Sequence, residues 1–573
     1  MKKCLMVAVV AALVTIVPAW DVEHDEVAQL TGEFLPKETR PFFTVDDFGI
    51  LIANCHYPDE IEWTHKYHTL EDFAGMVGAE DAEIFSRYGF RSAGFLHREM
   101  ARGLSMCLLA RAFAKGEHAR AAFYISELSH AVSDESALNH PPLLQYVQYA
   151  KYPGVEMPTR KVEPGAKNVF GFRSDGYVVH RVREKLRGYE PKAPSADFMD
   201  CVVAFVADCV NQADYAAQKE ALIGFGDPKE AAEALADLVA MQVKTLEDMI
   251  WTAWKFRAAD APLPPDDFMK RCNAVMTGYH RRADPARQGV FAGIFDESLN
   301  PPNPRGTVGI VCDAYTGFAF NRTSYVGRML GASCGRTLRK HGYAVKGIRY
   351  FDAADGKVPS PAEVGSIIYF PGASGGRDVA TALKAYRDKG GRLIIAGGRD
   401  AYDMTGFATA MEKKPDGTLP VSECWENRGT VADYTKMEVS FTSAMGTLAG
   451  TKAKFFNPPN NGAFCKPRCD VVVTDASLPS VTDASLPSVT DASVPSVALA
   501  KEGRVADSEV IVPLVRLDNG QGDTFTIAAR RGNVVWLPQY LLMPYLFQEK
   551  QPSLDFAALT LDPFAEKVLL SLF

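Results

Sequence analysis

The Pro/Asn-rich stretch Leu299-Asn-Pro-Pro-Asn-Pro-Arg-Gly306 separates two parts of different periodicity, and this change of texture constrains the fold most. Ahead of it, apolar residues recur at helical spacing over 101–114, 119–132, 177–186, 196–217, 228–256 and 265–279. Pro141 and Pro142 are expected to end the helix that carries His130. Behind the stretch, short apolar runs at 308–312, 366–370 and 392–396 alternate with helical patterns at 325–341 and 378–389. Strands alternating with helices predict a parallel, doubly wound sheet. Runs at 508–515, 524–529 and 533–537 add strands, and 556–573 reads as a closing helix. The expected fold class is multidomain: an all-α domain over 20–290, a linker over 291–306, and an α/β doubly wound domain over 307–573.

Two segments stand outside this scheme. Lys2 and Lys3 followed by the apolar run from Leu5 to Val17 have the form of a secretory signal over 1–19, with Val17-Pro18-Ala19 as a small-residue cleavage site. The expected mature chain starts at Trp20, in the secreted or periplasmic space, and no run is long enough to predict an integral membrane anchor. Val473-Thr-Asp-Ala-Ser-Leu-Pro-Ser480 recurs at 481–488 and, with one change, at 489–496. Octads rich in Ser, Asp and Pro predict a disordered surface insertion over 473–496, too short in period for a solenoid. A net charge of −8 gives no global attraction to nucleic acid or anionic membrane. The cysteines follow no zinc-finger spacing, and Cys465 and Cys469 are either a disulfide or two thiols.

Nine of the eleven histidines fall between residues 24 and 180, which places any metal chemistry in the first part. His130 and Asp134 are spaced i, i+4, as are His180 and Glu184, so each pair shares a helix face. Imidazole and carboxylate are ligands that zinc takes. His56, His97, His118, His280 and His341 read as ordinary packed or solvated residues. Arg173, Arg181, Arg183 and Arg187 read either as phosphate receivers or as a solvated basic face.

The order Trp20, His24, Asp59, His68, His130, Asp134, His140, His180, Glu184 resembles the zinc-dependent phospholipase C and single-strand-specific nuclease superfamily. The motif His, three residues, Asp, five residues, His is matched by His130, Asp134 and His140 without a gap. The resemblance implies a helical, secreted domain with three Zn2+ ions. It implies Trp20 and His24 on one ion, Asp134 bridging to a second held with Asp59, His68 and His130, and His140, His180 and Glu184 on the third. It also implies that Asp59 orients or deprotonates the attacking water. His65 competes with His68 for the second ligand position, because Asp59 and His68 stand closer together than the family's spacing. Glu184 is the phospholipase-like choice where the nucleases more often carry Asp.

In the second part, Ile367-Ile-Tyr-Phe-Pro-Gly372 and Tyr386-Arg-Asp-Lys-Gly-Gly-Arg-Leu-Ile-Ile-Ala-Gly397 resemble class I glutamine-amidotransferase-like domains, which are flavodoxin-like in fold. The catalytic members carry a nucleophile at the elbow after that strand. Here the elbow reads Ile395-Ala-Gly-Gly-Arg-Asp400, with neither Cys nor Ser, so a scaffolding or homo-oligomer role is expected. Gly372-Ala-Ser-Gly-Gly376 lacks the P-loop lysine spacing and reads as a strand-to-helix turn. The expected activity is hydrolysis of a phosphate ester, phospholipid or nucleic acid, by zinc-activated water, with a phospholipase C type of phosphodiesterase preferred. The alternatives are a single-strand nuclease, and a non-enzymatic binding or assembly protein with structural zinc.

Overall fold

A computed structural model describes residues 21–58, 70–90, 95–137, 162–166, 171–282, 293–312, 322–370, 377–396, 409–410, 438–454, 471–472, 511–518, 524–537, 539–542, 561 and 563–573. Trp20, Asp59, His65, His68 and His140 lie outside these residues, as do the leader, the octads, the Cys465/Cys469 pair, the 372–376 turn and the 397–400 elbow.

The first part is helical, as its periodicity predicts. The helices are α1 (Asp21–Glu33), α2 (Val45–Ala53), α3 (Leu70–Val77), α4 (Ala79–Arg87), α5 (Glu99–Lys115), α6 (His118–Glu135), α7 (Tyr177–Leu186), α8 (Phe198–Phe225), α9 (Pro228–Lys255) and α10 (Phe268–Arg282). Small and apolar residues cover nearly every face of α5 and α6, so both are enclosed by the others. Helix α5 stops at Gly116, whose φ of 73° is the left-handed conformation that glycine adopts without strain. A capping box starts α2: the Asp47 carboxylate accepts from the Thr44 amide at 2.7 Å, and the Thr44 hydroxyl accepts from the Asp47 amide. Asp227 caps the long helix α9, with Pro228 at its first position.

One boundary departs from expectation. Helix α6 ends at Glu135, ahead of Pro141, with Ser136 at φ −119° and ψ 14°. The Ala137 amide turns back to the Asp134 carbonyl, and the Ser136 hydroxyl accepts from Gln242 Nε2 at 2.9 Å. A tertiary partner on α9 thus holds the turn in which the helix ends.

The second part runs β1 (Thr307–Cys312), α11 (Arg322–Lys340), β2 (Ala344–Arg349), α12 (Tyr350–Ala354), β3 (Ser366–Phe370), α13 (Arg377–Asp388), β4 (Arg392–Ala396), β5 (Thr409–Ala410), β6 (Glu438–Phe441), β7 (Lys452–Lys454), β8 (Val471–Val472), β9 (Ile511–Asp518), β10 (Thr524–Arg531), β11 (Val534–Leu537) and α14 (Pro563–Leu570). Among the described residues, nine strands form one sheet in the order β2-β1-β3-β4-β11-β10-β9-β6-β7, and β5 pairs with β8 apart from it. The expected parallel sheet is parallel only from β2 to β11; the remaining pairings are antiparallel, so the sheet is mixed. Chain length explains the switch. Gly532, with φ 55°, and Asn533 alone join β10 to β11, and a parallel crossover needs about a dozen residues.

Both faces of the parallel strands are buried. Ile310, Ile368, Ile394 and Val535 face one apolar cluster that continues into the helical part, while Val311, Tyr369, Ile395 and Trp536 face a second with α13. The Pro/Asn-rich stretch is held against this sheet. Asn300 accepts from the Val345 amide at 2.8 Å and donates to the Val345 carbonyl at 3.1 Å. Among the described residues, no helix is long and apolar enough to cross a membrane.

Candidate metal centre

Three elements distant in sequence meet at one buried point. Helix α1 carries His24, α6 carries His130 and Asp134, and the turn after α2 carries Cys55 and His56. The Ser126 hydroxyl donates to the Leu51 carbonyl at 2.7 Å and fixes the end of α2 against α6. His24, His130 and Asp134 are buried, and one ligand atom from each lies within 4.8 Å of the others. The His24 and His130 rings stack with centroids 4.3 Å apart.

Hydrogen bonds set both ring orientations. His130 Nδ1 donates to the Cys55 carbonyl at 2.7 Å. The Ser133 hydroxyl donates to the Ser129 carbonyl at 2.7 Å, so its oxygen accepts from His24 Nδ1, also at 2.7 Å. With both protons on Nδ1, each ring presents Nε2 as its lone-pair nitrogen. Metal-binding histidines are fixed in this way by an outer partner on the second nitrogen. His130 Nε2 lies 3.2 Å from His97 Nε2. Two nitrogens on one tetrahedral zinc stand about 3.3 Å apart, given bonds of about 2.0–2.1 Å. His97 belongs to neither donor group, and His24, His130 and Asp134 offer nitrogen and carboxylate donors of the kinds that zinc takes.

The surroundings are poorly solvated. Burial pushes the Glu127 carboxyl on α6 up to about 8 against the opposing influence of His97, and pushes Glu26 on α1 up to about 7. Arg102 of α5 pairs with Glu135 of α6 at 3.1 Å, both buried, just beyond Asp134.

His180 and Glu184 are not drawn into this centre. Their side chains are 68% and 37% exposed, they pair with each other at 3.1 Å, and they belong to neither donor group among the described residues. The apolar face of α7, formed by Val178, Val179, Val182 and Leu186, packs inward and leaves the pair on the outer side. Of the nearby arginines, Arg181 pairs with Glu233 at 2.8 Å, Arg183 with Glu33 at 2.8 Å and Arg173 with Asp175 at 2.6 Å. These three follow the solvated-face reading.

Two histidines that look ordinary in sequence stand beside the centre. His97 touches His130, and His56 meets His24 edge to face with centroids 5.6 Å apart. His56 also belongs, with Asp25 and Cys55, to a second group of donors within 4.8 Å of one another. No spacing rule could find them, because His97 is 33 residues from His130 and His56 is 31 residues from Asp25. The chain matches no protein-family model, no curated protein and no solved structure in the comparisons made.

Proposed function

We propose that the helical part is a zinc-dependent phosphoric-ester hydrolase, a phosphodiesterase of the phospholipase C type, acting outside the cytoplasm after removal of residues 1–19. The observation that carries this reading is the buried meeting of His24, His130 and Asp134, with both imidazoles held by hydrogen bonds at Nδ1. Zinc, when bound, supplies Lewis-acid polarisation of a phosphoryl group and an acidified water. The chain's own residues do the rest. His24 and His130 supply neutral nitrogen donors, Ser133 and the Cys55 carbonyl hold them in place, and Asp134 supplies negative charge. Trp20, Asp59, His68 and His140 complete the proposed ligand set on the strength of the resemblance alone, and Asp59 takes the water-orienting role.

The α/β part is proposed to be an amidotransferase-like, flavodoxin-like unit without a nucleophile that serves assembly, including self-association. The parallel order β2-β1-β3-β4-β11 supports this, since it follows the flavodoxin-type order 2-1-3-4-5.

One observation favours a second reading, in which the zinc is structural. His24 and His130 are fully buried and Asp134 is 4% exposed, and closed sites are typical of structural zinc. Turnover separates the two. The zinc-replete full chain is tested on a chromogenic phosphodiester, phosphatidylcholine vesicles and single-stranded DNA. The proposal expects hydrolysis of at least one, lost on chelation, restored by zinc and abolished by His130→Ala. No turnover with zinc retained would establish the structural reading instead.

A further inference from the structure

We infer that Asp25, Cys55 and His56 form a second, thiolate-containing site for a borderline-soft divalent cation such as Zn2+ or Co2+, adjoining His24 and His130 but sharing no ligand with them. His56 Nε2 lies 2.9 Å and Cys55 Sγ 3.3 Å from the same oxygen, Asp25 Oδ1. Tetrahedral bonds of about 2.0–2.3 Å place ligand atoms about 3.3–3.8 Å apart. Both His56 Nε2 and Cys55 Sγ thus stand slightly closer to Asp25 Oδ1 than coordination requires, by a few tenths of an ångström, and all three donors lie within 4.8 Å of one another.

The chemistry of the trio is selective. Sulfur, imidazole and carboxylate together suit zinc and cobalt, whereas calcium and magnesium take oxygen. Binding costs one proton: the Cys55 S–H bond breaks, the proton leaves to solvent, and the sulfur electron pair makes the metal bond. The thiol now lies 3.3 Å from Asp25 Oδ1 and 3.1 Å from the Ile52 carbonyl, and loss of its one proton ends both contacts as hydrogen bonds, the metal bond replacing them. A route inward exists. The Asp25 and His56 side chains are 46% and 18% exposed, whereas Cys55 lies beneath them, buried.

The backbone joins the two donor groups. Cys55 sends its carbonyl to His130 Nδ1 and its sulfur to Asp25, and the consecutive residues His24 and Asp25 fall in different groups. An ion at one group would therefore bias the geometry of the other through a single residue, an outer-partner effect of the usual kind.

The test is cobalt titration of the reduced, chelator-stripped full chain, read by absorption. Cobalt bound to sulfur gives a near-ultraviolet thiolate-to-metal charge-transfer band, whereas cobalt bound to nitrogen and oxygen alone gives only visible bands. The inference expects the band in the parent protein, its loss in Cys55→Ser with one metal equivalent fewer, and its survival in His130→Ala. That survival separates this site from the proposed hydrolytic centre, whose failure would leave the band intact. Asp25→Asn and His56→Gln alter side chains that reach solvent and leave Cys55 packing in place, so both are expected to stay folded by circular dichroism and to weaken the band. Absence of the band in folded parent protein, or its persistence at parent strength in Cys55→Ser or in both of the other variants, would overturn the inference.

Discussion

Ser133 links helix geometry to the proposed metal centre. A serine inside a helix often returns its hydroxyl hydrogen to the carbonyl one turn back, and Ser133 does so to Ser129 at 2.7 Å. That bond commits the hydrogen and leaves the oxygen to accept from His24 Nδ1. Ser133→Ala removes the acceptor, and His24 can then rotate or change tautomer. The expected result is a folded protein whose zinc affinity falls about 10–100-fold, measured by competition with a chromogenic chelator. Parent-like affinity would show that Ser133 does not position His24. The sequence made part of this centre legible at the residue scale. His130 and Asp134 were found because both lie one turn apart on one helix. His180 and Glu184 satisfy the same spacing, yet the apolar positions 178, 179, 182 and 186 already put them on the wet side of α7. His97 and His56 carry no local signal, because long-range packing alone brings them to His130 and His24.

Helix α9 shows how a packed element stores a pH dependence. It presents Glu247 and Asp248 in succession, both buried. Asp248 accepts from the Lys192 amide at 2.7 Å and from the Tyr189 hydroxyl at 2.9 Å, which ties the segment after α7 to α9. Glu247 is less well served: burial, with the Asp248 charge beside it, raises its carboxyl from 4.5 to about 8. In the unfolded chain Glu247 ionises near 4.5, so between pH 4.5 and 8 the unfolded state releases a proton that the folded state keeps. Its contribution to stability is therefore lost as the pH rises through that window and levels off above it. Glu247→Gln removes the proton from both states. Relative to the parent, the variant is expected to gain on the order of 1–4 kcal/mol at pH 8.5 and almost nothing at pH 4.5, measured by urea unfolding. An equal gain at both pH values would assign the effect to packing rather than to ionisation. Element boundaries were most legible where apolar runs were short and closed by turn residues: β3 and β4 fall on 366–370 and 392–396, as predicted. The strands β2, β5, β6, β7 and β8 were not foreseen. β6 and β7 are four and three residues long; β6 is defined by pairing with the distant β9, and β7 by pairing with β6.

At the scale of the whole molecule, the Pro/Asn-rich stretch that signalled a boundary behaves as a clasp. Asn300 satisfies both backbone groups of Val345 and also accepts from Arg339 Nε at 2.9 Å, while Arg339 reaches the Gly293 and Asp296 carbonyls. A side-chain amide thus extends the hydrogen bonding of β2, the outermost strand on its side, and closes an edge that would otherwise present unpaired groups. Nearby, Arg281 of α10 pairs with Asp355 after α12 at 2.6 Å and gives its carbonyl to Arg349 Nη2 at 3.0 Å. This exposed pair is worth little by itself, about 0–1 kcal/mol. The Asn300 clasp is worth more, because Asn300→Ala leaves the Val345 amide and carbonyl and the Arg339 guanidinium short of partners at about 1–3 kcal/mol. For a unit of roughly 250 residues, each kcal/mol lowers the midpoint by about 2–4 °C. Calorimetry of Asn300→Ala is therefore expected to show the transition of the α/β part lowered by a few degrees. The proposed metal donors all lie ahead of the clasp, so zinc stoichiometry and affinity should match the parent. A variant with unchanged melting would remove the clasp from the stability of the sheet. One that lost zinc while its sheet stayed folded would show that the metal centre draws on structure beyond the helices that carry it.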